Sequence, residues 1–395
     1  MPRVCSVSTQ LPAAQALPGA IEHPHVHIGR SFGDSLPALD RYDLAPPVLA
    51  RLSRSGRLAM AAGMDALARA GLISQESQWQ LADDLQPHVG VVFASSFGHC
   101  EAALNTPTPL KNRLALDLTL QANVQLAQRV RARGPNTFSS NACASTTAAI
   151  KLACNALQVG DAKYMLVVAA DAVLGNPAYD GLVASFVQLR AATDAEHLDR
   201  AAGAFAAQRD GFVFGEGAVA LVLGDDDVPT LPSCQVEIVS SRIANSAYHG
   251  TQLDASHVAE VLGACVDQAC ARRGVSRAAL AKHCLYVSHE TATKLCARTE
   301  AEALRSVFGD AAPDILITNT KAFVGHAMGA CVEDVAAVTA LQEQRAPAVD
   351  VEHLDAEFAD LSFSDGAPRR LDYAIHAAFG LGSHVAVVVY ATTSN

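Results

Sequence analysis

The sequence predicts a layered α/β protein whose sheets are covered by helices on both faces. Half of the 395 residues are hydrophobic and only 17% are charged, enough apolar surface for a sizeable core. The strand-like segments are continuous apolar runs, the pattern of strands buried on both sides. These runs alternate with helix-like segments along the chain.

The elements follow in order. Residues 52–72 are rich in Ala and Leu at helical spacing and end in Ala70-Gly71, a stop. Residues 88–95, HVGVVFAS, form a strand candidate followed by Phe97-Gly98. Residues 144–157 read as an almost wholly apolar, Ala-rich helix, which places it inside the protein. Residues 164–170 and the run AVALVL at 218–223 are further buried strands. The stretch 224–233, GDDDVPTLPS, is acidic and contains Pro, and it reads as a boundary between two comparable parts, 1–228 and 229–395. In the second part, 234–240 and 284–288 are strands, 300–307 and 333–344 are helices, and 385–390 is a late buried strand.

Composition narrows the function. There are 40 acidic residues against 29 basic ones, a net charge of −11, which disfavours a nucleic-acid coat or a polybasic membrane binder. The longest apolar stretches fall far below the ~20 residues of a membrane span. The N-terminus MPRVCSVSTQLPAA lacks the apolar segment of a secretory signal. The 10 Cys residues are scattered with no CxxC pair, which suits reduced thiols in the cytoplasm.

Five segments carry residues suited to chemistry. Cys143, in SSNACASTT, sits where small polar residues lead into the buried helix. A thiol at a helix start faces the positive end of the dipole, which is expected to lower its pKa and favour the thiolate. His289, in VSHETAT, leaves a short strand into a Thr-rich loop. Lys321 and His326, in NTKAFVGHAMG, share a Gly-containing loop that can aim both at one point, although such a Lys taken alone is more often solvated. Phe379-Gly380-Leu381-Gly382-Ser383 alternates glycines beside a buried strand, so a backbone N–H there can serve as an oxyanion donor. In RDGFVFGEGA, glycines bracket Phe212 and Phe214. That segment lacks GxGxxG spacing and no GxxxxGK[ST] occurs, so no nucleotide site is supported. His23, His25 and His27 alternate like ligands on a strand, but Pro24 intervenes and no carboxylate or Cys completes a metal site.

Taken together and in this order, the five segments resemble the elongating β-ketoacyl-acyl-carrier-protein synthases, condensing enzymes of the thiolase fold. The resemblance implies a layered α-β-α-β-α architecture made of two similar halves. It implies Cys143 as the acyl-accepting nucleophile, completed by His289 and His326, with Lys321 alongside. The backbone amides of Cys143 and Leu381 would form the oxyanion hole. Thr291, Thr293, Phe212, Phe214, Phe379 and Gly380 would contact substrate, and Glu300 matches a structural carboxylate. Arg51, Arg54 and Arg57, at three-residue spacing, would dock an acyl carrier protein. The implied reaction is decarboxylative condensation of a malonyl thioester with an acyl-Cys intermediate, in fatty-acid or type II polyketide synthesis. The alternatives are acyl transfer to a non-malonyl acceptor, or a chain-length partner of a second synthase. No cofactor is implied beyond the carrier's phosphopantetheine, and the expected assembly is a homodimer or a heterodimer with a related synthase. Four features depart from the family pattern: Glu290 for a Gly after the first His, Cys296-Ala297 for Gly-Asp, Leu381 for a gating Phe, and Ser383 for the loop's second Gly. They bear on the pocket entrance and gate.

Overall fold

The computed structural model describes residues 1–10, 19–20, 28–30, 36–44, 46–49, 52–97, 122–174, 179–195, 203–228 and 235–393. Arg51 and the three alternating histidines lie outside these residues.

Eleven strands form one sheet system: β1 Arg3–Gln10, β2 Val89–Ala94, β3 Asn136–Ser139, β4 Tyr164–Asp171, β5 Gly217–Gly224, β6 Val236–Asn245, β7 Cys284–Val287, β8 Leu316–Thr318, β9 Ser362–Phe363, β10 Tyr373–Gly380 and β11 His384–Thr392. Their order is β9-β8-β7-β10-β11-β6-β1-β5-β4-β2-β3. Among the described residues, the α-helices of two turns or more are α1 Arg54–Arg69, α2 Ala122–Val130, α3 Ser145–Gln158, α4 Asp180–Gln188, α5 Ala255–Arg273, α6 Lys294–Phe308 and α7 Val332–Glu343.

Reading outward from the β1–β6 contact, each half repeats the same pattern. In the first, β1 pairs antiparallel with β5, β5 antiparallel with β4, then β4, β2 and β3 run parallel. In the second, β6 pairs antiparallel with β11, β11 antiparallel with β10, then β10, β7 and β8 run parallel. The halves meet through a short antiparallel pairing, Arg3 with Glu237 and Val4 with Val236. The expected two similar halves are therefore present in the topology.

Three apolar cores define the layers. One packs α1 and α2 (Leu58, Met64, Leu126) on the outer face of the first half's strands. Another packs α5 and α6 (Leu262, Leu304) on the outer face of the second half's strands. The third lies between them, where α3 (Ile150, Leu157) and α7 (Val338, Leu341) meet strands of both halves. An Ala-rich helix such as α3 suits this middle layer, since small side chains let two sheets and a second helix close on it. Among the described residues, no helix is long and apolar enough to cross a membrane.

Candidate active site

The two middle-layer helices begin at the same place, and the site forms there. β3 ends at Ser139 and α3 begins at Ser145; the turn between them carries Cys143. Ala142 adopts φ 50°, a left-handed conformation uncommon for a residue with a Cβ. Ser145 Oγ donates to the Ala142 carbonyl at 2.5 Å and accepts the Asn141 N–H at 2.8 Å, tightening the turn. Cys143 is 7% exposed and lies in an apolar cluster with Val183, Phe186, Phe212, Phe214 and Met328.

His289 follows β7 after one residue. Its N–H is held by Glu300 Oε1 at 2.8 Å, and the Tyr286 hydroxyl donates to the same oxygen at 2.8 Å. Asn319 Nδ2 braces this loop through Ser288 Oγ and the Glu290 carbonyl, both at 3.0 Å. Thr293 Oγ1 caps α6 by accepting the Cys296 N–H at 3.3 Å, and it lies 3.3 Å from Thr291 Oγ1.

His326 is gripped by the Phe212–Gly215 segment. Its N–H donates to the Val213 carbonyl at 2.7 Å, and the Gly215 N–H donates to the His326 carbonyl at 3.0 Å. Two glycines make this approach possible. A Cβ at Gly215 would lie 2.4 Å from the Val324 carbonyl oxygen, and one at Gly325, which has φ 70°, would lie 2.7 Å from that of Phe214.

Lys321 opens a single helical turn, Lys321–Val324, and is buried rather than solvated. Its Nζ meets Glu333 Oε1 at 2.5 Å, and Thr320 Oγ1 donates to that oxygen at 2.9 Å. Burial opposes the Lys321 charge, but the Glu333 carboxylate outweighs it and holds the pKa above its ordinary value. Burial likewise opposes the Glu333 charge, yet Lys321 draws its pKa down to about 2. Asp334 is occupied elsewhere, by the hydroxyls of Thr147 at 2.7 Å and Tyr390 at 2.8 Å.

Phe212 links Cys143, with which it shares an apolar cluster, to the two predicted histidines. The His289 and His326 rings lie 5.7 Å apart at 89°, with Phe379 5.3 Å from His289 and Phe212 4.8 Å from His326. His289 Nδ1 and His326 Nε2 are buried without a hydrogen-bond partner among the described residues. Lys321 is the strongest charge acting on Cys143, His289 and His326 alike. At Gly380 a Cβ would lie 2.2 Å from the Asn141 carbonyl oxygen, so only glycine lets β10 end on the nucleophile's turn. Leu381 follows there, 40% exposed. A cavity of ≈ 870 Å³ reaches the site, lined by Gln208, Phe212, Glu290, Thr291, Lys321 and His353 among others.

Burial sets the protonation states. It lowers the pKa of His289 well below the ordinary value and that of His326 to about 3, with Lys321 adding to both, so both rings are neutral near pH 7. Burial pushes the Cys143 thiol up to about 12, with Lys321 opposing. The expectation of a ready thiolate is corrected: desolvation at this sulfur exceeds the pull of the neighbouring ammonium.

The basic docking stripe is also altered. Arg54 donates from Nε and from an Nη to the two oxygens of buried Glu216 at 2.8 and 2.5 Å. Its charge is therefore neutralised inside the protein. Arg57 donates to the Leu49 carbonyl at 3.0 Å.

Three further residues escaped sequence reasoning. Asp171, at the end of β4, accepts from Ser95 Oγ at 2.5 Å and from the N–H groups of Ser96 and Gly329 at 2.8 and 2.7 Å, tying β2 to the His326 loop. Cys331, at the start of α7, donates its thiol to the Cys143 carbonyl at 3.0 Å. His376 Nδ1 lies 2.9 Å from the Val287 carbonyl, and its ring stands beside Glu333 and Cys331. A polar residue at the end of an apolar strand, as in YMLVVAAD, or in the middle of one, as in YAIHAAFG, is the signal that could have flagged the first and last.

Comparison with known proteins gives the same placement. Family models described as "Beta-ketoacyl synthase, N-terminal domain" and "Beta-ketoacyl synthase, C-terminal domain" match residues 40–227 and 236–350. The chain is 27% identical over 359 residues to 3-oxoacyl-[acyl-carrier-protein] synthase 2 of Staphylococcus aureus (strain N315), covering 86% of this chain and 82% of that protein. It is 27% identical over 364 residues to the chloroplastic 3-oxoacyl-[acyl-carrier-protein] synthase II of Arabidopsis thaliana, covering 88% and 65%. Among solved structures, a β-ketoacyl synthase from Burkholderia phymatum STM815 superposes with a TM-score of 0.79 at 22% identity, covering 100% of this chain and 99% of that one. A type II polyketide synthase acyl-carrier protein in complex with its ketosynthase gives 0.78 at 20% identity, covering 99% of each. With both family models matched in chain order and the thiolase-like fold present, the chain belongs to the β-ketoacyl synthase family.

Proposed function

We propose that this protein is an acyltransferase of the β-ketoacyl synthase type, which condenses a malonyl thioester with an acyl group held on Cys143 and releases carbon dioxide. The observation that supports the reading is a buried thiol at the start of α3 that shares an apolar cluster with Phe212, whose ring packs on His326, one of two neighbouring neutral imidazoles from the other half.

Two half-reactions follow from these groups. In the first, Cys143 Sγ attacks the carbonyl carbon of an acyl thioester. Because the thiol is protonated at neutral pH, its proton passes to an imidazole as the C–S bond forms. The oxyanion is held by the amides of Cys143 and Leu381. The carrier thiol leaves with that proton, and the acyl group stays on Cys143.

In the second, the malonyl thioester loses its carboxylate as carbon dioxide, and the bonding pair becomes an enolate. Donors from His289 and His326 hold the enolate oxygen. A carboxylate in their place would repel it, whereas a neutral imidazole offers an N–H without a competing charge. Lys321 adds positive potential, and Glu333 keeps it positioned. The enolate carbon then attacks the acyl carbonyl, the new carbon–carbon bond forms, and the tetrahedral adduct expels Cys143 as a thiolate, which takes a proton from solvent.

The apolar surround of Cys143 suits an acyl chain, and the cavity past Thr291 suits the phosphopantetheine arm of an acyl carrier protein. No cofactor of the protein's own enters this scheme. Arg51 and Arg57 remain the candidate docking charges for the carrier. The residues of β3 that face outward, Asn136–Phe138, are exposed on the sheet's last strand, an edge suited to pairing with a second copy or a related synthase. Free thiols at all eight described cysteines fit the reducing cytoplasm. Intact-mass analysis after incubation with an acyl thioester tests the first step: wild type gains one acyl group and Cys143→Ala gains none. Equal acylation of both would remove Cys143 from the scheme.

A further inference from the structure

The loop that carries His326 belongs to the second half of the chain but is seated on the first. Its His326 end is gripped by Val213 and Gly215. Its other end, Gly329, is held through both backbone groups. The Gly329 N–H donates to Asp171 Oδ2 at 2.7 Å. The Gly329 carbonyl accepts from Thr146 Oγ1 at 2.5 Å and from the Thr146 N–H at 3.2 Å. The approach demands glycine: a Cβ there would lie 2.6 Å from the Ser96 nitrogen and 2.9 Å from Asp171 Oδ2.

Asp171 closes β4 and is buried. Ser95 Oγ donates to its Oδ1 at 2.5 Å, and the Ser96 N–H joins that of Gly329 on Oδ2 at 2.8 Å. Donors to a carboxylate are charge-assisted and hold more strongly than neutral pairs. The same two serines reach the nucleophile's turn. The Ser95 carbonyl accepts from Ser145 Oγ, and the Ser96 carbonyl from Ser140 Oγ, both at 3.3 Å. One buried carboxylate therefore joins the Cys143 turn of the first half to the His326 loop of the second.

We propose that Asp171 is a positioning residue for the condensation step: it seats the Gly329 end of the His326 loop on the first half, and so sets the His326 ring where both imidazoles can hold one enolate oxygen. The inference rests on the condensing role proposed for this site. Acyl loading needs one base, which either ring can supply, whereas enolate capture needs both donors on one oxygen at once. Loosening Gly329 therefore falls on the second half-reaction and spares the first. The Cys143 turn keeps its own bonds, from Ser145 Oγ to the Ala142 carbonyl and from the Asn141 N–H to Ser145 Oγ.

Full-length wild type, Asp171→Ala and Asp171→Asn are compared in two assays. One follows acylation of Cys143 by butyryl pantetheine, read by intact mass. The other supplies malonyl pantetheine alone: the carboxylate leaves as carbon dioxide, the enolate carbon takes a proton from solvent, and acetyl pantetheine remains. Asp171→Ala is expected to lower the kcat of decarboxylation about a hundredfold, the scale of a misplaced catalytic group, while acylation stays within about threefold of wild type. Asn can turn its carbonyl oxygen to the place of Oδ2 and accept both N–H groups, so Asp171→Asn should recover most of the lost decarboxylation. Amide exchange at Gly329 should quicken in Asp171→Ala and return toward wild type in Asp171→Asn. Equal falls in the two assays, an unchanged decarboxylation rate, or an Asn variant no better than Ala overturns the proposal. If Asp171→Ala does not fold, Ser95→Ala, which removes one donor from the same carboxylate, decides by the same split with a fall of about threefold. A wild type that neither acylates nor decarboxylates sinks the condensing reading instead. Gly329 exchange then still reports whether Asp171 seats the loop, and unchanged exchange overturns the proposal in either case.

Discussion

The Cys331 thiol donates to the carbonyl oxygen of Cys143 across 3.0 Å, joining the starts of two helices that occupy equivalent places in the two halves. Thr146 adds to the joint: its Oγ1 donates to the Gly329 carbonyl at 2.5 Å and accepts the Cys331 N–H at 2.9 Å. Burial pushes the Cys331 thiol pKa far up, so the group stays protonated and remains a donor. Cys331→Ala removes this bond and leaves a small void. It should lower stability by about 1–2 kcal/mol in urea unfolding and slow acyl loading at Cys143. Unchanged stability and loading would mean the contact positions nothing.

Lys321 and Glu333 are a buried pair, and removing one partner strands the other. Lys321→Met should cost about 3–5 kcal/mol of stability by chemical denaturation. The double variant Lys321→Met/Glu333→Leu should recover much of that loss, while condensation stays abolished. A double variant no more stable than the single one would show that the pair is not the source of the loss.

Glu290 is fully buried, and burial raises its carboxyl to about 7 from an ordinary value of 4.5. Neither oxygen has a well-aligned donor among the described residues, although the Ala292 and Phe205 amides and the Arg209 and Lys321 charges favour ionisation. The folded state therefore holds this proton more tightly than the unfolded chain does. Its contribution is full below about pH 4.5 and is lost as pH rises through about 7. Glu290→Gln should gain stability relative to wild type across that window and level off above it. Thermal unfolding at a series of pH values reads the difference; a flat difference would place Glu290 outside the titration.

Cys143 should not titrate within the working range. Its alkylation by iodoacetamide should climb steadily from pH 6 to 9 with no plateau, because burial holds the thiol pKa near 12. A plateau near pH 7 would show a pre-formed thiolate.

Much of this architecture was legible because it is written locally. Continuous apolar runs and the Ala-rich helix mark buried strands and a central helix, and most appear within a residue or two of their expected place, while the strand expected over 234–240 runs Val236–Asn245. Cys143, His289 and His326 stand in short segments whose small residues leave room around them. What was not legible depends on contacts far apart in sequence. Lys321 reads as solvated until Glu333 is folded back over it. Arg54 reads as a free surface charge until Glu216, 162 residues on, takes both of its forks. The protonation state of Cys143 was misjudged for a related reason. A helix start is visible in sequence, but the closure of Phe186, Phe212 and Met328 around the sulfur, which sets the larger desolvation cost, is not.

The most direct test of the account is product analysis with an acyl carrier thioester and a malonyl carrier thioester supplied together. The account predicts a β-ketoacyl product two carbons longer than the donor chain, formed in step with carbon dioxide by wild type and by neither Cys143→Ala nor the His289→Ala/His326→Ala double variant. Acyl transfer without carbon dioxide release, or condensation that survives loss of Cys143, would contradict it.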